Sequence, residues 1–146
     1  AVMIPTQFYF SGLSDRIGRK KVYQWGAVLT GLWGFALFPL IDTGNTYYII
    51  LAVSMGLVFL GMQYGPQAAF FTELFSTEVR YSGASLGYQM GAILGGALAP
   101  TIAVLLWTQF DIFYVSLYIA AAAVLTLISL AMLTETSGVD LSNIEE

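Results

Sequence analysis

Charged side chains in this sequence are confined to narrow bands, and the intervals between the bands are long enough to cross a membrane. No Asp, Glu, Lys, Arg or His occurs at positions 22–41, 43–72, 81–110 or 112–134. Each interval holds about 20 residues or more, the length that a helix rising about 1.5 Å per residue needs to traverse a hydrocarbon layer of about 30 Å. A surface helix of a soluble protein keeps one polar face and does not run so far uncharged. Apolar residues make up 58% of the chain and charged residues 10%, against about 25% charged in ordinary soluble domains. Strands fit poorly. Membrane barrel strands alternate polar and apolar over about ten residues, whereas positions 53–60 and 120–133 are apolar or small with no two-residue period. Helices also satisfy every backbone group within one segment, as lipid demands. The expected fold class is all-α, a polytopic membrane helix bundle.

The same distribution predicts the organisation. Positions 1–10 are apolar but only about half a span long. With neither an initiator Met nor a basic leader, they read as the last turns of a truncated helix that begins upstream, not as a signal peptide. Positions 11–21 are expected to form a charged turn. Spans are predicted at 22–41, 47–72, 82–107 and 113–133, so that a transmembrane domain at 1–134 precedes an acidic tail at 135–146. The connectors 42–46 and 108–112 are short, and consecutive helices therefore run antiparallel. That alternation places 11–21, 73–80 and the tail on one side of the membrane. Arg16, Arg19, Lys20, Lys21 and Arg80, the five basic residues of the chain, all fall on that side. By the positive-inside bias it is cytoplasmic, together with the C-terminus, and a multi-pass protein of the plasma membrane is expected. Tyr23, Trp25, Tyr47, Tyr48, Trp107, Phe113 and Tyr114 lie near the predicted span ends, where amphipathic rings favour the headgroup layer.

Several function classes drop out on composition. The chain has no Cys and so no disulfides. Its net charge of −4 comes largely from the tail. Five basic residues, four of them in one short loop, make no surface that tracks phosphates, so nucleic acid is not an expected partner. Without a His cluster, a Cys or paired intramembrane carboxylates, nothing marks a catalytic, cofactor-binding or metal site, and an integral-membrane enzyme is disfavoured.

The run from Gly12 to Lys21 is the sharpest local pattern. Its glycines permit a tight turn, and Asp15 either sits at a helix N-terminus or pairs with a neighbouring Arg. On these physics alone the run reads equally well as a plain topogenic basic loop. It resembles, however, the cytoplasmic loop motif of the major facilitator superfamily, which is built around D-R-x-G-R-[RK]-[RK] and is carried here by Asp15, Arg16, Gly18, Arg19, Lys20 and Lys21, with Gly12 ahead of them. That family has the motif between its second and third helices and, in weaker form, between its eighth and ninth. Four spans and a tail follow it here. The resemblance therefore implies a partial C-terminal half of the major-facilitator fold, from the end of the eighth helix through the twelfth. The run Glu73, Leu74, Phe75, Ser76 to Arg80 resembles the family's E-L-F-P-x-x-x-R junction after the tenth helix, with Ser76 standing where Pro is usual. With residues 81–89 it is similar to the metabolite:proton symporter branch, which carries small organic acids and betaine-like osmolytes. The family pairs its cytoplasmic charges when the inner gate is shut, and Asp15, Arg16, Arg19, Glu73, Glu78 and Arg80 are the gating candidates that the resemblance implies.

Within the spans, Gly83, Gly87, Gly91 and Gly95 recur at four-residue spacing, which puts them on nearly one helix face and lets another backbone approach. The expectation is structural packing, with sliding or rocking as a secondary use. Pro100 is expected to bend this helix. At mid-depth of the second span, Gly65 and Pro66 loosen the backbone. Gln63 and Gln67, four apart, share a face there. Intramembrane polar groups face protein or water, which leaves two readings for these side chains: interhelical hydrogen bonds or a substrate cavity. The resemblance, in which the tenth helix lines the cavity and the eleventh flanks it, makes Gln63, Tyr64, Gln67, Tyr88 and Gln89 candidate substrate contacts.

The function implied is secondary active transport of a small organic metabolite by alternating access, coupled to protons, with a small molecule, a proton, the lipid bilayer and the missing N-terminal half as partners. No carboxylate, His or Lys lies deep within a span, so the titratable group such coupling normally needs is expected elsewhere in the protein. The competing reading is a self-contained four-helix membrane scaffold. A chain that opens inside an apolar helix argues against it.

Overall fold

A computed structural model of the chain describes residues 2–74 and 79–133. Its helices are α1 (Met3–Ile17), α2 (Arg19–Asp42), α3 (Thr46–Glu73), α4 (Arg80–Gly91), α5 (Leu98–Gln109) and α6 (Ile112–Met132), with a π-helical stretch, Ala92–Ala97, joining α4 to α5. Four helical segments are long and apolar enough to cross a membrane: α2, α3, α6 and the continuous rod Tyr81–Gln109. The fold is an all-α membrane helix bundle. The acidic tail and Glu78 lie outside the described residues.

The charged turn expected at 11–21 is not a turn. α1 runs on to Ile17 and α2 starts at Arg19, leaving Gly18 alone between them. Charges exclude a segment from lipid but not from a helix, and the helix simply continues into water. Gly12 is helical and meets nothing that an added Cβ would strike within 4 Å. Gly18 makes the corner, with φ 109° and ψ 132°, a conformation that a side chain strains. Its N–H donates to the Ser14 carbonyl at 3.0 Å, and its own carbonyl accepts from Val22 N–H at 3.3 Å, so one end group of each helix finds a partner at the break.

At the other end of the molecule the turns are built conventionally. Gly44 has φ 66°, and Asn45 caps α3 by accepting from Tyr47 N–H at 2.9 Å. Asp111 caps α6 by accepting from Phe113 N–H at 3.2 Å. Each such cap stabilises its helix by about 1 kcal/mol.

Packing centres on α2, which lies against both α3 and α6, while α1 lies against α3 and α5 against α6. Small residues set the seams. A Cβ added to Gly31 would come 2.8 Å from Ala123 Cβ on α6, and one added to Gly65 would come 2.9 Å from Gln7 O and from Ser11 N, backbone atoms of α1. Lipid gives helices no hydrophobic reason to associate, so close packing and polar contacts do that work. Two of the polar contacts are Trp33 Nε1 donating to Ala52 O at 3.0 Å and the buried Ser116 hydroxyl donating to Gly34 O at 2.9 Å, such bonds being worth about 0.6 kcal/mol on average.

Along the rod from α4 to α5, none of residues 81–109 is buried. Its irregularity falls before Pro100 instead of at it. Pro100 lies inside α5, and the wide π turn occupies Ala92–Ala97, including Gly95 and Gly96. Proline offers no N–H to the carbonyl one turn back, at Gly96, and glycines tolerate the altered winding beside it.

Candidate functional site

Three helix ends meet on one guanidinium. Asp15 is in the last turn of α1, Arg19 opens α2 and Glu73 closes α3. Because Gly18 turns the chain within a single residue, Arg19 stays near Asp15 and its Nη2 lies 3.2 Å from Asp15 Oδ1. Its Nη1 lies 2.5 Å from Glu73 Oε1. The Arg19 side chain is 17% exposed and Glu73 14%, against 58% for Asp15. The Arg19–Glu73 contact is therefore the partly desolvated one, in which a charge-assisted bond is strong, and the Asp15 contact is water-screened and weak, in the range of about 0–1 kcal/mol. Glu73 Oε2 is buried with no hydrogen-bond partner among the described residues. An ion pair this sheltered is costly to break from one side, because the partner left behind is a partly buried charge.

The remaining motif residues divide. Arg16 is exposed in the last turn of α1, where a cation favours the helix dipole. Lys20 donates to the carbonyl of Leu133, just past the end of α6, so the motif also fastens the last helix to the second. Arg80 opens α4. Glu78 lies outside the described residues.

Neither crevice described below is lined by the five intramembrane candidates. Gln63 turns its amide toward α2, donating from Nε2 to Thr30 Oγ1 at 2.8 Å and to Gly26 O at 3.4 Å. Of the two readings open for it, the interhelical bond is the one with geometry. Gln67 is half-buried beside buried Pro66 in an unbroken α3, while Tyr64, Tyr88 and Gln89 are exposed. A Cβ on Gly87, Gly91 or Gly95 would meet nothing within 4 Å, so the partner expected for that glycine face is not among the described residues.

Two crevices have other linings. A small one of about 180 Å³ lies at the α1–α3 seam against Gln7, Phe8, Ser11 and Gly65. A larger one of about 820 Å³ lies at the opposite end from the Arg19 cluster, between the end of α2 and the α5–α6 turn. The sequence reading passed over Gln7 and Thr30. Polar side chains four residues from Ser11 and from Gly26 were the available signal, since i and i+4 share a face.

Among the described residues no group of His, Cys, Asp and Glu lies together in a way that would hold a metal.

Comparison with known proteins agrees with the motif. The profile of the Major Facilitator Superfamily matches residues 1–144. A putative metabolite transport protein of Haemophilus influenzae is 37% identical over 131 residues, covering 90% of this chain and 30% of that protein. The inner membrane metabolite transport protein YhjE of Escherichia coli is 42% identical over 125 residues, covering 85% and 28%. The shikimate transporter of Escherichia coli is 34% identical over 102 residues, covering 69% and 23%. This chain thus spans less than a third of the length of these relatives. No solved structure matches it. With a matching profile over nearly its whole length, four membrane-capable helices and the paired loop charges, the chain belongs to the Major Facilitator Superfamily.

Proposed function

We propose that this chain is part of the C-terminal half of a secondary active transporter that moves a small organic metabolite by alternating access, and that Arg19 with Asp15 and Glu73 forms its cytoplasmic latch. The observation that carries the reading is one guanidinium joining the ends of α1, α2 and α3. A transporter that opens to each side in turn needs contacts of modest strength that exist in one state and not the other. The basic end is cytoplasmic, in the inner membrane of a bacterium, and the C-terminus lies on the same side. The central cavity is completed by the other half of the transporter, and Tyr64, Gln67, Tyr88 and Gln89 contribute to it, with Gln63 held on α2 behind them.

The cargo we propose is a small organic acid or a betaine-like osmolyte, moved together with a proton. The similarity to a shikimate transporter supports the acid. Uptake by the full-length protein in vesicles tests both points. Accumulation of labelled carboxylates or betaines that rises when the outside is made acid and falls with a protonophore supports symport. Accumulation indifferent to both removes the coupling, and no uptake across the screen removes the substrate class.

A further inference from the structure

We propose that the large crevice at the end opposite the Arg19 cluster binds the ethanolamine headgroup of a phospholipid. The crevice, about 820 Å³, is lined by Phe38, Pro39 and Asp42 of α2 and by Trp107, Phe110 and Asp111 of the α5–α6 turn, among others. That volume falls in the range of small-molecule sites, about 300–1,000 Å³. Its position at helix ends puts it at the depth of lipid headgroups, with the apolar flanks of α2 and α6 below it for an acyl chain to follow.

Charge decides the occupant. Asp42 makes no ion pair among the described residues, and Asp111 gives one carboxylate oxygen to the Phe113 N–H. The five basic residues are all at the other end of the helices. Two carboxylates without a cation at a membrane surface attract an amine and repel an anionic headgroup. The rings of Phe38, Trp107 and Phe110 add the apolar, quadrupolar walls that hold an ammonium, and Phe110 is itself braced by Tyr114, with ring centroids 5.2 Å apart. A primary ammonium donates up to three hydrogen bonds to carboxylates such as these, whereas a choline headgroup has none to give. The inference does not depend on which metabolite is carried.

The test is native mass spectrometry of the full-length protein extracted from bilayers of equal phosphatidylethanolamine and phosphatidylglycerol, beside the Asp42→Asn/Asp111→Asn double variant. Asparagine keeps the helix cap at 111 while removing the charge. Wild type should retain phosphatidylethanolamine preferentially, and the variant should retain about tenfold less. Equal retention of the two lipids by wild type, or undiminished retention by the variant, overturns the proposal. A second measurement needs no charge variant. Brominated phosphatidylethanolamine should quench the emission of Trp107, taken as the difference between wild type and Trp107→Phe, more than brominated phosphatidylglycerol does. Equal quenching by the two lipids overturns the proposal as well.

Discussion

A guanidinium has two edges, and Arg19 applies them to different helices, reaching Asp15 on α1 and Glu73 on α3. A lysine in its place keeps the charge but offers one point of contact instead of a fork. We expect Arg19→Lys in the full-length protein to slow transport several-fold while expression stays near normal. Asp15→Asn should do the same more mildly, because its partner contact is the exposed one. Initial uptake rates, normalised to protein in the membrane, check both, and unaltered kinetics would remove the latch. Gly18 is the residue on which this geometry rests. Alanine there, at φ 109°, should lower stability by about 1–3 kcal/mol, read as a lower midpoint of thermal unfolding in detergent, whereas Gly12→Ala should leave it unchanged. The motif residues were legible because their pattern is dense and their spacing local. The direction of Gln63 was not, because a four-residue spacing gives a shared face without saying which neighbour that face meets. Only the packing of Gly26 and Thr30 of α2 against α3 decides it.

At the scale of elements, the helix limits fall at the edges of the uncharged intervals, since ions are what lipid rejects most strongly. Where that rule misleads is outside the lipid. Residues 11–17 carry charge and are helical all the same, and no hydropathy argument would have shown it. The rod from α4 to α5 was legible as a span but not in its winding, because a π turn depends on how Pro100 and the glycines before it share the strain. Replacing Pro100 by Ala restores a donor toward Gly96 and should shorten the π turn, visible as slower amide hydrogen exchange across residues 92–97. Unchanged exchange would mean that the glycines alone set the winding. The exposed Gly87 face predicts a partner helix elsewhere in the full-length protein. Gly87→Leu should impair assembly first and turnover second, so the detergent-extractable folded yield falls before the transport rate per folded molecule does. A normal yield with a normal rate would show the face to be simply lipid-exposed.

At the scale of the whole molecule, α2 gathers α3 and α6 around it, and its two ends do different work. Its start holds the Arg19 ion pairs and, through Lys20, the end of α6. Its other end borders the proposed lipid crevice. The bundle is held along its length by close backbone seams, such as Gly65 against α1 and Gly31 against α6, and at its basic end by the Arg19 ion pairs. The decisive measurement is the rate at which an impermeant maleimide, applied from the cytoplasmic face, labels a cysteine placed at Gln67 in a cysteine-free full-length background, with and without Glu73→Gln. If the Arg19–Glu73 contact holds the inner side shut, neutralising Glu73 shifts the population toward the open state and labelling accelerates about tenfold, the equivalent of about 1.4 kcal/mol. Labelling at the same rate in both proteins would contradict the account.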